Sequence, residues 1–390
     1  MQSPLSVPGR ESVHADEVLT ARSGDETFYQ ALRARGVSRR SFMQFVGAVA
    51  GMLGLEASFV PRIAQALQVQ RKLPLVWLEF QDCAGNTESF LRAAKPSVDE
   101  VILEAISLNY HETIMAAAGH LAEEVLQKTV RESPGEYIAV VEGSIPTADG
   151  GVYCTIGGRT ALDIAREVCG NALATVAAGT CACFGGLPAA APNPTGAVSV
   201  SAAVPGATVI NLSACPFNAA NITALLVHYL TFGRFPATDN LGRPLFAYGK
   251  RIHDACERRA HFDAGQYAER FGDQGHRLGY CLYKLGCKGP ATYQNCPTVR
   301  WNEGMNWPIG AGHPCVGCAE PYFWDTMTPF YERLPKVAGF GVDADADAVG
   351  VGIVAGTAAA FTAHGILKSI QRRRAEIKEK EPSGSESTEE

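Results

Sequence analysis

Nine of the twelve cysteines fall into an ordered series of clusters along the chain. The densest stretch runs from His253 to Cys318 and reads H-x2-C, C-x5-C, a lone cysteine and C-x2-C. Thiolates and imidazoles at such spacings bind zinc or iron-sulfur clusters, and this stretch holds ligands for about two metal centres. The series therefore predicts a protein that binds several iron-sulfur clusters.

Composition limits the alternatives. The chain has 390 residues, of which 46% are hydrophobic, enough for two domains and terminal extensions. With a net charge of −6 and no basic stripe, we expect no nucleic-acid partner. Disulfides are the competing use of cysteine, but the chain is no short disulfide scaffold, and its cysteines stand beside glycine, proline and histidine. Metal ligation is the favoured interpretation.

Several regular elements must position these residues. Between residues 67 and 235, apolar runs with the length of buried strands alternate with helical stretches. The runs span 73–80, 137–141, 174–178 and 208–212, and the helical stretches include 121–131, 161–168 and 219–232. This order predicts an α/β fold with a flavodoxin-like, doubly wound parallel sheet.

Ligands of such sheets bind beyond the carboxyl ends of the strands. Four loops leave that edge, and they carry Asp82-Cys83, Glu142-Gly143-Ser144, Gly179-Thr180-Cys181 and Ser213-Ala214-Cys215-Pro216. Cys154, a little beyond the second of these strands, can fold back to the same edge. We therefore expect one cluster site there.

The remaining segments form a leader, a second domain and a tail. Residues 1–66 read as a leader whose Ser38-Arg39-Arg40-Ser41-Phe42 and apolar stretch Phe45–Val60 form a twin-arginine signal pattern, with a small-residue cleavage site at Ala64-Gln65-Ala66. Two outcomes stay open, namely export and a retained helix on the cytoplasmic side. Residues 236–336 have few periodic segments and half of the cysteines, so they predict a largely irregular domain held together by metal centres.

Residues 337–390 contain an apolar segment, Val349–Leu367, between acidic and basic residues. Its length almost suffices to cross a bilayer, but its glycines and polar residues make it a weak spanning segment. We expect a helix that packs against a partner or lies at a membrane surface, with a true span as the alternative. The last ten residues read as a disordered acidic tail.

Five motifs make the chain resemble a known family. They are Trp77-Leu78-Glu79-Phe80-Gln81-Asp82-Cys83, Gly179-Thr180-Cys181, Pro192-Asn193-Pro194-Thr195-Gly196, His253-Asp254-Ala255-Cys256-Glu257-Arg258 and His313-Pro314-Cys315-Val316-Gly317-Cys318. The ordered set resembles the small subunit of nickel-iron hydrogenases from about residue 38 to residue 335. A missing fourth cysteine near the first strand makes the chain most similar to the high-affinity, actinobacterial-type uptake branch.

The resemblance implies three clusters in a row. The proximal four-iron cluster would use Cys83, Cys154 and Cys181, but Asn86 stands where most relatives have a fourth cysteine. The Asp82 carboxylate is a better iron ligand than an amide, and a three-iron cluster is the alternative. The medial three-iron cluster would use Cys296, Cys315 and Cys318. The distal four-iron cluster would use His253, Cys256, Cys281 and Cys287, and its neutral histidine should raise the reduction potential.

Other residues receive simpler interpretations. Cys169 is interpreted as a core thiol, Cys215 as structural, and Cys183 as a core thiol or a neighbour of the proximal cluster. Glu142 and His313 are expected near clusters without binding them. A zinc site is the alternative to iron, and its functional counterpart is a non-redox scaffold for assembly. Subunits of quinone reductases with a similar proximal cluster resemble only the sheet domain.

The resemblance also implies partners. The nickel-iron site of this family needs two C-x-x-C pairs, whereas this chain has one, so the active site is expected on a large subunit. This chain would relay electrons from that site to an external acceptor, a quinone or a cytochrome. We further expect a higher oligomer of heterodimers, associated with the membrane on its cytoplasmic side, with export as the alternative.

Overall fold

The computed structural model describes residues 38–69, 73–93, 106–302, 304–333, 337–339, 342–344 and 346–380. The expectations for residues 1–37 and for the last ten residues lie outside these ranges. The described residues fall into two compact units, one up to Arg333 and one after it. The sheet and the cysteine-rich region share the first unit.

Five parallel strands form the central sheet. They are β1 (Leu73–Glu79), β2 (Ile106–His111), β3 (Ile138–Glu142), β4 (Ala174–Ala178) and β5 (Val209–Leu212). Their order is β2-β1-β3-β4-β5, and every neighbouring pair is parallel. This is the flavodoxin-like order, with a switch point between β1 and β3. The predicted fold class is confirmed.

Strand β2 is absent from the sequence-based expectation. Its residues, Ile106-Ser107-Leu108-Asn109-Tyr110-His111, alternate apolar and polar side chains, unlike the continuous apolar runs of the inner strands. It lies at the edge of the sheet and pairs only with β1, where the register shifts between Leu75 and Val76. A search for continuous apolar runs therefore misses it.

Helices cover both faces of the sheet. In chain order they are α1 (Arg39–Met52), α2 (Val60–Val69), α3 (Gly85–Leu91), α4 (His120–Glu132), α5 (Ala161–Asn171), α6 (Gly179–Phe184), α7 (Val200–Ala203) and α8 (Ala219–Phe232). One apolar core lies on each face, and β3 contributes Val141 to the first and Val140 to the second. Alternate residues of a strand point to opposite faces, so a buried central strand is apolar throughout.

The segment interpreted as a leader forms a packed helical hairpin. Ser38 caps α1 by accepting a hydrogen bond from the backbone N–H of Ser41 at 3.1 Å. A third apolar core joins the hairpin to α8, and it consists of Phe42, Val46, Val49, Ala50, Ile63, Ala64, Leu67, Val227 and Leu230. Residues 38–67 thus belong to the compact unit, with Ala64 of the expected cleavage site buried in α2.

The cysteine-rich region is largely irregular, as expected. Its helices have four or five residues each, and they are α9 (Leu245–Tyr248), α10 (Arg259–Asp263), α11 (Gln274–Arg277), α12 (Cys296–Val299) and α13 (Phe323–Thr326). Short 3-10 helices at Ile252–Ala255, Tyr283–Leu285 and Gly289–Ala291 connect them. The small core here includes Cys296 and Cys315 among its buried residues.

The second unit is dominated by one long helix. An antiparallel pair, Val337–Gly339 with Val342–Ala344, precedes α14 (Ala346–Lys380). Within α14, Gly350–Arg374 is long and apolar enough to cross a membrane, with a mean hydropathy of 1.5 over its most apolar window. Its side chains from Gly350 to Arg374 are exposed in this chain alone.

Candidate metal centres

All twelve cysteines are free thiols. The disulfide interpretation therefore has no support in the structure. Instead, the thiols group at three places, one at the sheet edge and two in the cysteine-rich region.

Three thiols meet at the carboxyl edge of the sheet, on the loops after β1, β4 and β5. The pKa of Cys181 is raised to about 11, mainly by burial, and Cys83 adds to the shift. The pKa of Cys215 is raised to about 12, again mainly by burial. The charged neighbours that raise it further are Cys318, Cys181 and Cys83. Such thiols bind a metal only by releasing a proton, and the metal supplies the charge that permits it.

Cys154 has different surroundings. It precedes the short strand Thr155–Ile156 and packs against the first apolar core. Burial raises its pKa to about 11, and the acidic groups that add to this are Glu112 and Asp82 rather than a cysteine. The structure thus groups Cys215 with Cys83 and Cys181, and it surrounds Cys154 with apolar residues and carboxylates.

Asn86, in the place of the expected fourth cysteine, is a buried structural residue. Its side-chain oxygen accepts a hydrogen bond from the backbone N–H of Phe217 at 2.9 Å. Gly179 (φ 82°) turns the chain beside it, because a Cβ on this glycine would collide with the Asn86 amide. Asn86 therefore connects α3 to the segments that follow β4 and β5.

Asp82 stands next to Cys83 and is exposed in this chain alone. Its carboxylate accepts a hydrogen bond from the backbone N–H of Ala84 at 3.1 Å. Partial removal of water, followed by the nearby charge of Glu142, raises its pKa to about 7. A bound cation would relieve this repulsion, which makes Asp82 a suitable oxygen ligand.

Buried carboxylates lie behind Asp82. Oxygens of Glu79, Asp82 and Glu142 lie within 4.8 Å of one another. Glu142 accepts hydrogen bonds from the backbone N–H groups of Asn86 (2.7 Å) and Thr87 (2.8 Å), and the Thr87 hydroxyl is bonded to both Glu142 (2.7 Å) and Glu79 (2.9 Å). The expectation that Glu142 lies near this site agrees with its position. Glu79 and Thr87 were not singled out from the sequence, because a lone Glu or Thr carries no spacing signal.

A second group consists of Cys296, Cys315 and Cys318. Burial raises the pKa of each, and Cys315 has Cys287 of the adjoining group as well as Cys318 and Cys296 as charged neighbours. This group touches the sheet edge, because the Thr180 hydroxyl donates to the Cys318 carbonyl at 2.5 Å and the Ser213 hydroxyl donates to the Ala319 carbonyl at 2.8 Å. The backbone N–H of Cys215 also lies near the Cys318 sulfur and lowers the pKa of that thiol against the effect of burial.

The third group lines an enclosed cavity. His253, Cys256, Cys281 and Cys287 all face it, together with Arg258, Arg259, Leu282, Gly289 and Ile309. Burial, followed by the charge of Arg259, lowers the pKa of His253, so the neutral imidazole that a metal requires is favoured. The ring stands edge-on to Phe262 at 4.6 Å, which orients it. The four predicted distal ligands are brought together.

The thiols of the cysteine-rich region share a local backbone pattern. The sulfurs of Cys256 and Cys315 each accept a hydrogen bond at 3.4 Å from the backbone N–H two positions later, those of Arg258 and Gly317. The backbone N–H groups two positions after Cys281 and Cys287 lie near those sulfurs as well, and in all four cases the N–H lowers the pKa of the thiol against the effect of burial. N–H donors stabilise thiolate sulfur, so these sites suit anionic sulfur ligands better than neutral thiols.

Comparison with known proteins adds an independent result. Residues 248–331 match the C-terminal family model of the NiFe/NiFeSe hydrogenase small subunit, and residues 83–229 match the model of the NADH ubiquinone oxidoreductase 20 Kd subunit. The first match covers the cysteine-rich region, and the second covers most of the sheet. The two matches are separated by residues 230–247.

Full-length relatives and solved structures extend this result. The uptake hydrogenase small subunit of Azotobacter vinelandii is 46% identical over 89% of this chain and 97% of its own length. The quinone-reactive Ni/Fe-hydrogenase small chain of Wolinella succinogenes is 46% identical over 87% of this chain and 98% of its own length. The Ni-Fe-Se hydrogenase from Desulfomicrobium baculatum matches in structure with a TM-score of 0.64 and 35% identity, covering 67% of this chain and 100% of that one.

An actinobacterial-type NiFe-hydrogenase from Ralstonia eutropha H16 has a TM-score of 0.62 over 81% of this chain and 94% of its own, at 23% identity. That likeness shows a shared fold. Family membership comes from the more similar sequences, which cover 89% and 87% of this chain at 46% identity. This chain belongs to the family of nickel-iron hydrogenase small subunits.

Proposed function

We propose that this chain is the electron-transfer small subunit of an uptake hydrogenase and that it binds three iron-sulfur clusters in a row. Hydrogenase small subunits carry iron-sulfur clusters and pair with a large subunit that bears the active site. The observation that carries the assignment of three centres is the separation of the thiols into three adjoining groups, of which the outermost lines its own cavity. Once bound, such clusters accept and release one electron at a time.

For the proximal centre we propose Cys83, Cys181 and Cys215 as thiolate ligands. Cys215 takes the place of Cys154 because its charged neighbours are the other cysteines, whereas those of Cys154 are carboxylates. Asp82 is proposed as the fourth ligand, since the side-chain oxygen of Asn86 already accepts a hydrogen bond from the Phe217 N–H. A four-iron cluster follows from four ligands, and a three-iron cluster is the result expected if Asp82 does not bind.

For the medial centre we propose Cys296, Cys315 and Cys318 around a three-iron cluster. For the distal centre we propose His253, Cys256, Cys281 and Cys287 around a four-iron cluster. Hydrogen bonds join neighbouring groups, because the Thr180 hydroxyl, next to Cys181, donates to the Cys318 carbonyl at 2.5 Å and the Lys288 N–H, next to Cys287, donates to the Cys315 carbonyl at 2.8 Å. The protein thus holds the three ligand sets in one continuous, hydrogen-bonded order.

The direction of electron flow follows from the same order. The sheet edge with Cys83 faces the large subunit, and His253 marks the exit to the acceptor. A neutral histidine in place of a thiolate raises the reduction potential and draws electrons outward. The acceptor is a quinone or a cytochrome, and the name of the Wolinella succinogenes relative fits the first of these.

Spectroscopy on the purified heterodimer with the large subunit tests this function. Reduction with hydrogen should bleach visible absorption near the iron-sulfur bands and change the electron paramagnetic resonance signals of three distinct centres. The zinc scaffold alternative predicts a colourless, silent protein with stoichiometric zinc. Signals from fewer than three centres in a fully iron-loaded heterodimer would contradict the proposed arrangement.

Replacement of His253 tests whether electrons leave through the distal centre. His253→Cys should lower the potential of one centre by at least about 59 mV, which is tenfold in a one-electron equilibrium, because a negative ligand replaces a neutral one. The other two centres should keep their potentials. A shift of the medial or proximal centre instead would place His253 elsewhere in the chain of clusters.

We further propose a membrane-associated complex of several heterodimers on the cytoplasmic side, with the leader retained. The packing of Ala64, only 6% exposed within α2, supports retention, because a peptidase needs an accessible, extended site. The apolar part of α14 supports contact with a membrane or with a partner subunit. Intact mass of the mature chain should include residues 38–66, and a mature start at Leu67 would instead favour export.

A further inference from the structure

Lys288 is a lysine whose side chain is enclosed in the cysteine-rich region. It is 1% exposed, although lysine is almost never fully buried without partners. Its Nζ donates to the backbone carbonyls of Pro329, at 3.1 Å, and of Glu332. Both acceptors are backbone carbonyls, which stabilise the ammonium as neutral dipoles, and the Glu332 carboxylate is a charged neighbour that also favours the ammonium.

This charge lies between two ligand sets. Lys288 directly follows Cys287 of the distal set, and its backbone N–H donates to the carbonyl of Cys315 in the medial set at 2.8 Å. The thiols of Cys287 and Cys315 are both charged neighbours of its ammonium. The stem of the side chain packs on the loop between Cys315 and Cys318, where a Cβ on Gly317 would lie 3.5 Å from the Lys288 Cβ.

A buried positive charge acts on any nearby group that gains an electron. Reduction makes a cluster more negative by one, so a fixed cation stabilises the reduced form and raises the potential. Since the interior screens charge poorly, the effect of an enclosed ammonium is larger than that of a surface lysine. A cation between two clusters acts on both.

We propose that Lys288 sets the reduction potentials of the medial and distal centres together. This role rests on the proposed function, because it requires clusters on both ligand sets. A shared cation raises both potentials in the same direction, so it changes the difference between them less than it changes either potential. Lys288 acts on the clusters through its positive charge and does not bind iron itself.

The test variant removes the positive charge of Lys288 and keeps N–H donors in the side chain. In Lys288→Gln the side-chain amide still offers N–H donors to the carbonyls of Pro329 and Glu332. Redox titration of the purified heterodimer, followed by electron paramagnetic resonance, should show both potentials lowered by at least tenfold in their one-electron equilibria, about 59 mV. The proximal potential should stay as in the unmodified heterodimer.

Two further variants separate charge from structure. Lys288→Arg keeps the charge and should restore both potentials. Lys284→Met removes a charge four residues away, from a side chain that is 40% exposed and paired with Glu269, and it should shift neither centre.

Unchanged potentials in Lys288→Gln, at normal iron content, would overturn the proposal. Loss of clusters in that variant would also count against it, because Lys288 would then serve folding. The absence of iron-sulfur signals from the unmodified heterodimer would overturn the proposed function instead, so the two failures are distinguishable.

Discussion

The sheet edge and the cysteine-rich region hold thiols in opposite ways. At the edge, Cys83, Cys181 and Cys215 stand on loops of a sheet whose two cores are built from aliphatic and aromatic residues. In the cysteine-rich region, Cys296 and Cys315 are themselves core residues, and Cys256 and Cys287 pack against them. The sheet therefore has apolar cores that do not depend on metal, whereas in the cysteine-rich region the metal ligands are part of the core itself.

Removal of iron should give the largest contrast between the two regions. Without metal, the region from Leu245 to Arg333 loses bonds that replace a conventional core, and it should become fully sensitive to protease. The sheet from β1 to α8 keeps its own cores and should persist as a resistant fragment. Limited proteolysis of chelator-treated protein with mass spectrometry measures both.

The matched control is the same digestion of iron-loaded protein, in which both regions should resist. Equal sensitivity of the two regions after chelation would break the distinction between added and structural metal.

Acid should have the converse effect and act on the sheet. His111 is fully buried and stacks on Trp77 at 5.2 Å, and burial lowers its pKa to about 4. Because its unfolded pKa is about 6.5, the neutral ring contributes stability above that pH, and this stability is lost as pH falls toward 4. The loss is at most about 3 kcal/mol. Hydrogen exchange of β1 and β3 peptides at pH 7 and pH 4.5 measures it.

The comparison variant for this measurement is His111→Gln, which cannot gain the proton. Its sheet should lose less stability between the two pH values than the sheet of the unmodified chain. The same loss in both proteins would show that the acid effect does not come from His111.

Asn86→Cys tests whether the sheet edge tolerates the missing thiol. The substitution removes the acceptor of the buried Phe217 N–H, which should cost about 1–3 kcal/mol in the iron-free protein. The added sulfur should offer a fourth thiolate and change the spectrum of the proximal centre only. Ser89→Ala is the control, since it removes a hydroxyl that donates to the Phe217 carbonyl at 2.7 Å and adds no thiol.

An unchanged proximal spectrum in Asn86→Cys, at full iron content, would mean that position 86 cannot reach the metal. Denaturant unfolding of the iron-free variants would then still report the cost of the lost hydrogen bond.

The smallest effect is expected from an exposed ion pair on α3. Arg92 and Glu88 lie 2.7 Å apart, with side chains 63% and 57% exposed. Arg92→Ala should change the stability of the sheet by only about 0.3–0.5 kcal/mol, because water screens such pairs. Denaturant unfolding at low and high salt checks this. A loss of several kcal/mol would show that the sheet depends on its surface as well as its cores.

The sequence predicts the sheet better than it predicts the site. The buried strands β1, β3, β4 and β5 appear as continuous apolar runs, whereas the alternating edge strand β2 escapes that search. Likewise, the spacing of H-x2-C and C-x5-C identifies the distal ligands. Spacing says nothing, however, about which way a loop turns after its strand. Cys154 and Cys215 therefore look alike in the sequence and differ only in their neighbours in space.

The hairpin of α1 and α2 shows a second limit. The twin-arginine motif and the apolar stretch are visible in the sequence, but their packing is not, because the partner residues Val227 and Leu230 lie in a helix more than 150 positions later. An apolar helix face predicts that this face is buried, but it does not identify the residues that pack against it.

The backbone N–H donors two residues after Cys256 and Cys315 carry a consequence for mutational tolerance. Because each donor belongs to the main chain, the sulfur keeps its bond whatever side chain stands at that position, and proline is the one residue that lacks the donor. At Arg258, whose side chain also donates to the Tyr280 carbonyl at 2.9 Å, proline should therefore be tolerated less well than alanine. The difference between these two substitutions reports the contribution of the main chain, which no comparison of side chains reveals.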